Sequence, residues 1–99
     1  MRYYAFKDEL NLYANLQKFK LGNGMKFLYI IPMPKSWSKG KKIIMDGKPH
    51  MQKPDIDNLE KAVFDSLLKD DSVIWWTETR KKVWGYSGKI IIEGAQNVN

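Results

Sequence analysis

The sequence predicts a single α+β domain over residues 1–99, a small mixed β-sheet packed with one central helix, and three observations carry that reading. From Asp57 to Lys69, Leu59, Val63 and Leu67 recur every four residues while Ala62, Phe64 and Leu68 widen the stripe, the period of a helix with one apolar face. Lys26–Ile31 and Lys89–Glu93 are short runs of β-branched and aromatic residues, the composition of strands. The length, 99 residues, supports one core and no more, since a chain of that size withdraws only about two-thirds of its unfolded surface on collapse.

Taken in order, Tyr3, Phe6, Leu10, Tyr13 and Leu16 are spaced by three and four, which predicts an amphipathic helix over residues 3–20, stopped by Gly22-Asn23-Gly24. Lys26–Ile31 follows as a buried strand that ends at Pro32, where the ladder loses a donor. From Pro32 to Pro54 the chain holds four prolines and two glycines, so it reads as a long loop with one short helical turn. Such loops in small domains are usually functional or disordered. The helix of residues 57–69 opens with Asp57 and Glu60 at the N-cap-to-N3 spacing of a capping box. Val73–Thr79 alternates around Trp75 and Trp76 like a strand, Arg80-Lys81-Lys82 interrupts it, and the turn Gly85-Tyr86-Ser87-Gly88 leads into the strand Lys89–Glu93.

Composition excludes several classes. Apolar residues make up 43% of the chain, with 4 Trp, 5 Tyr and 4 Phe, too many core formers for a disordered protein. With no cysteine and a single histidine there is no disulfide framework and no zinc site of Cys and His ligands, so any metal is held by oxygen. No apolar run is long enough to span a bilayer and residues 1–6 do not resemble the start of a signal peptide, so a cytoplasmic protein is expected. Seventeen Lys and Arg against eleven Asp and Glu leave a net charge of +6, which makes a polyanion a plausible partner. The charges are segregated: six acids lie between Asp55 and Asp71, while six lysines lie between Lys35 and Lys53 against one acid, Asp46.

Asp55 and Asp57, with Asp70-Asp71 beyond the helix, form the first constellation. Two or three carboxylates are what Mg²⁺ takes when positions must stay open for water and a phosphate oxygen. The same residues also suit a helix cap, a favourable dipole contact and a solvated turn, and spacing alone favours those structural roles. A helix of about twelve residues is about 18 Å long, so Asp71 reaches Asp57 only if the following segment returns along it. Lys61, one turn after Asp57, is either a surface ion-pair partner or a cation for a phosphate. The lysines of the Pro32–Lys53 loop either track a phosphate backbone or are ordinarily solvated. His50 reads as a loop residue rather than a general base. Trp75, Trp76, Trp84 and Tyr86 read as packing residues of the core or a subunit interface, with base stacking the alternative.

The run Gln52-Lys53-Pro54-Asp55-Ile56-Asp57-Asn58-Leu59-Glu60-Lys61-Ala62-Val63-Phe64-Asp65-Ser66-Leu67, followed by Asp70-Asp71-Ser72-Val73, resembles the RusA-type Holliday junction resolvases. The likeness spans about residues 27–93 and is densest from Lys53 to Val73. It implies a small homodimeric endonuclease, of a kind common in phages and prophages, that binds four-way DNA junctions and nicks them symmetrically using Mg²⁺, with Mn²⁺ as an alternative ion. By position it assigns Asp55, Asp57 and one of Asp70 and Asp71, preferably Asp71, to the metal, and Lys61 to catalysis. It places Asn58 in the motif, and Arg80, Lys81 or Lys82 at the family's basic position after the strand. Lys41, Lys42 and Lys53, from the basic loop, complete the expected DNA contacts.

Two departures from the family pattern stand out. The family's opening strand and basic loop are expected to be missing, since Met1 falls almost at the first predicted helix, which leaves a sheet edge open. The link from Leu68 to Asp70 is also short, which bears on where Asp71 sits. The reading is therefore a twofold homodimer whose two sites match a substrate with two equivalent strands. Its rival is a basic dimer that binds DNA without cutting it, a truncated remnant whose aspartates are only helix caps.

Overall fold

The computed structural model describes residues 2–5, 21–68 and 71–94, with the side chains of 2–5, 66, 67 and 71 outside the described set. Strands Arg2–Ala5 (β1), Lys26–Pro32 (β2), Thr79–Gly85 (β3) and Lys89–Glu93 (β4) form one mixed sheet in the order β1-β4-β2-β3. β2 and β3 are parallel, in register from Lys26 with Thr79 to Pro32 with Gly85, while β4 runs antiparallel to both β1 and β2. A parallel pair needs a crossover. The crossover here contains two helices, Lys39–Met45 (α1) and Ile56–Leu67 (α2).

Alternation along the strands decides which face of the sheet is the core. Phe27, Tyr29 and Ile31 of β2, Ile90 and Ile92 of β4 and Trp84 of β3 are buried, and Leu59 and Val63 of α2 close over them. Phe64 meets Phe27 edge-on with ring centroids 6.1 Å apart. This is the α+β architecture expected, with α2 as its central helix.

The basic loop is more ordered than its prolines and glycines predict. Ser38 caps α1 by accepting the Lys41 amide at 3.1 Å. Residues 47–50 then run antiparallel along the outer edge of β3: Gly47 donates to the Trp84 carbonyl, Trp84 to the Lys48 carbonyl and His50 to the Lys82 carbonyl, each at 2.9 Å. That strip satisfies a sheet edge that would otherwise expose its hydrogen-bonding groups.

Three expectations need correction. Residues 2–5 are strand rather than the first turn of a helix, because their main chain pairs with Ile90–Glu93; β4 has a neighbour on each side, and the rest of the predicted helix, residues 6–20, lies outside the described residues. The strand expected at Val73–Thr79 begins only at Thr79 and contains Arg80–Lys82; ahead of it lie a 3-10 turn, Asp71–Val73, and an irregular stretch. There the amides of Trp75 and Trp76 donate to Asn23 Oδ1, at 2.7 and 3.4 Å, and not to a neighbouring strand. The N-cap of α2 is Asp55, not Asp57, and neither a capping box nor any side-chain cap bond forms. Of the aromatics expected in the core or a subunit interface, Trp84 is core, and Trp75, Trp76 and Tyr86 are exposed on the single chain. Among the described residues no helix is long and apolar enough to cross a membrane.

Candidate metal and nucleic-acid site

The start of α2 is held by the strand beneath it. The Lys82 ammonium donates to the carbonyls of Gln52 and Pro54, each at 2.6 Å, so β3 grips the loop immediately before Asp55. Further back, the Trp84 ring packs between Trp37, at 4.7 Å, and His50, at 4.3 Å, which roots both ends of the basic segment in the core. His50, expected as a loop residue, is instead buried against that ring.

From this base Asp55 and Asp57 project at the N-cap and in the first turn of α2, and both are exposed. Neither carboxylate is used as a cap. Among the described residues the cation beside Asp57 is Arg80, whose Nη1 stands 3.8 Å from Oδ1 and 2.7 Å from Oε1 of Glu60. Glu60, one helical turn on, is 14% exposed, and its Oε2 has no hydrogen-bond partner among the described residues, nor does the hydroxyl of Tyr29 beneath it. Burial pushes the Tyr29 hydroxyl well above its ordinary pKa; the Glu60 charge adds to that shift and Arg80 opposes it.

The other expected site residues separate by geometry. Asp57, Lys61 and Asp65 form one exposed stripe of α2, with Lys61 Nζ 3.8 Å from Asp65. Asn58 and Lys53 are exposed nearby in the sequence. Strand alternation resolves the basic triplet: Arg80 and Lys82 share the α2 side, and Lys81 lies on the opposite face, lining a groove with Lys26, Leu28, Ile91 and Glu93. Lys41 and Lys42 are on α1, where the Lys41 ammonium lies 4.2 Å from the centre of the Trp37 ring. Asp70 lies outside the described residues; Asp71 opens the 3-10 turn, its side chain also outside them. Of the three expected carboxylates, the described side chains therefore include two, Asp55 and Asp57, both exposed at the start of α2, and no group of three metal-ligating residues occurs among the described residues.

The residues present fit a hard divalent cation. Two exposed carboxylates, uncommitted to capping and opposed by one ion pair at 3.8 Å, are oxygen donors of the kind Mg²⁺ prefers. Sequence reasoning missed the Glu60–Arg80 pair, having taken Glu60 as a capping-box partner and Arg80 as a strand breaker. Half of the signal was there, since Glu60 is one turn from Asp57; the side that Arg80 takes follows only once the triplet lies within β3.

None of the curated proteins and none of the solved structures matches the chain significantly. The family model described as endodeoxyribonuclease RusA does match, over residues 1–93 of 99, and its span includes the aspartates of α2, the basic triplet of β3 and the whole of the sheet. The chain belongs to the RusA family of endodeoxyribonucleases.

Proposed function

We propose that this protein is a Mg²⁺-dependent, structure-specific endodeoxyribonuclease that binds four-way DNA junctions as a homodimer and resolves them by paired symmetric nicks. The observation that supports this reading is the state of Asp55 and Asp57: exposed at the start of α2, in a family of nucleases, and engaged in no capping bond. Asp55, Asp57 and Asp71 would hold the cation, Asp71 from the segment that follows α2. Activation of water and polarisation of the phosphodiester are what a bound cation contributes at such a site. Lys61, on the exposed stripe with Asp57, leaves Asp65 to offset charge on the phosphate or the leaving oxygen. Arg80 supplies positive charge beside Asp57, and Lys41, Lys42, Lys53, Asn58 and Lys81 are assigned to DNA.

The test is incubation of the purified protein with a labelled four-way junction and with matching linear duplex, each with Mg²⁺ and with chelator, read on a denaturing gel. Paired nicks in the junction alone, and only with metal, are expected. A junction that is shifted on a native gel but never cut with Mg²⁺ or Mn²⁺ would overturn the reading in favour of a binding protein.

A further inference from the structure

We propose that Lys82 is a positioning residue of the candidate metal site and not a DNA contact, an inference that rests on the functional reading above. One residue of β3 grips the loop at three points. Its carbonyl accepts the His50 amide at 2.9 Å, and its ammonium donates to the carbonyls of Gln52 and Pro54, both at 2.6 Å. The chain from 50 to 54 is thus closed against the strand, and Asp55 is the next residue. Cation affinity at a pair of carboxylates depends on how well their geometry is fixed beforehand, and losing a group that orients the ligands typically costs about ten- to a hundredfold in affinity.

The same contacts take Lys82 out of play for DNA. A lysine binds a phosphate as a mobile, hydrated point charge. The Lys82 ammonium is half-buried and already committed to two carbonyls, so it would have to give up its hold on the loop to reach a phosphate. Its neighbours differ: Lys81 is exposed on the other face, and Arg80 faces carboxylates. Lys82 therefore acts through the main chain that carries Asp55.

Mn²⁺ binding to the DNA-free protein, measured by calorimetry, tests this, together with metal-free junction binding over a series of salt concentrations. Lys82→Met is expected to weaken Mn²⁺ affinity by about tenfold while leaving junction affinity in chelator and its salt dependence unchanged. Lys82→Arg, which keeps a charged donor at both carbonyls, is expected to recover most of the Mn²⁺ affinity. Should Lys82→Met fail to fold, Lys82→Gln, a neutral donor able to reach one carbonyl, serves in its place with a several-fold loss. Unchanged Mn²⁺ affinity in the variant that folds, or a salt slope reduced by about one phosphate contact, overturns the proposal. Wild-type protein that binds no Mn²⁺ instead overturns the metal-site reading and removes the role assigned to Lys82 with it.

Discussion

Arg80 of β3 closes on Glu60 of α2 at 2.7 Å, joining sheet to helix beside Asp57. Glu60 is mostly buried, and a carboxylate in that setting needs its cation: removing one partner of a buried pair costs more than the pair itself is worth. Arg80→Met is expected to destabilise the fold by about 2 kcal/mol, a fall of about 10 °C in Tm for a domain of this length. Glu60→Gln placed in the same background should recover much of that loss. Thermal melts of the wild type, both single variants and the double variant give the coupling; strictly additive effects would mean that the contact carries no energy.

Asp57 presents the opposite case. Its side chain is 86% exposed and caps nothing, so Asp57→Asn should alter stability by less than about 0.5 kcal/mol. Cleavage of the junction should be abolished, with junction binding in chelator retained or tightened because one negative charge near the phosphates is gone. A gel assay with a parallel melt checks both. If cleavage persists, Asp57 leaves the site, and a loss of about 1 kcal/mol would mark it as a structural cap.

The parts of this fold that the sequence made legible are those whose partners are near in the chain or whose period is unambiguous. Leu59 and Val63 announced α2 through the period of one buried face, and the isoleucines of 90–92 announced β4 through their β-branched composition. Arg2–Ala5 did not announce itself: four residues are too few to show a period, and they are strand because Ile90–Glu93, far along the chain, accepts them. Val73–Thr79 alternates correctly and still is not strand, because Asn23, 52 residues before Trp75, takes the amide bonds a ladder would need. The paired aspartates were visible as a pattern, but their freedom from capping depends on where α2 begins, two residues before the position that Asp57 and Glu60 suggested. Which of Arg80, Lys81 and Lys82 faces the acids could be read only after the triplet was known to lie within a strand.

Tyr29 links the stability of the fold to alkaline pH. Its folded pKa is raised above the ordinary value of 10.0, so the fold favours the protonated phenol. That contribution is fully present below pH 10 and is lost as pH rises beyond it. The hydroxyl has no hydrogen-bond partner among the described residues, so Tyr29→Phe removes a desolvated polar group without breaking a bond. The variant is expected to be at least as stable as wild type at neutral pH and to lose less stability above pH 10. Ultraviolet titration adds a direct check: the difference between wild type and Tyr29→Phe should show no phenol ionisation near pH 10 while both remain folded.

Two glycines should respond to alanine with opposite signs. Gly24 has φ of +73°, and an added Cβ would stand 2.5 Å from Cζ2 of Trp76, whose carbonyl accepts the Gly24 amide at 3.1 Å. Gly24→Ala therefore meets both a left-handed backbone and an indole, and a loss of about 1–3 kcal/mol is expected. Gly40 lies in the first turn of α1, with nothing within 4 Å of an added Cβ. Gly40→Ala is expected to stabilise by about 0.5–1 kcal/mol, by restricting the unfolded chain and favouring the helix. Thermal melts give both signs, and Trp76→Leu in the Gly24→Ala background separates the two causes. Recovery would assign the loss to the indole; no recovery would assign it to the backbone of the turn where Asn23 and Gly24 hold the segment that follows Asp71.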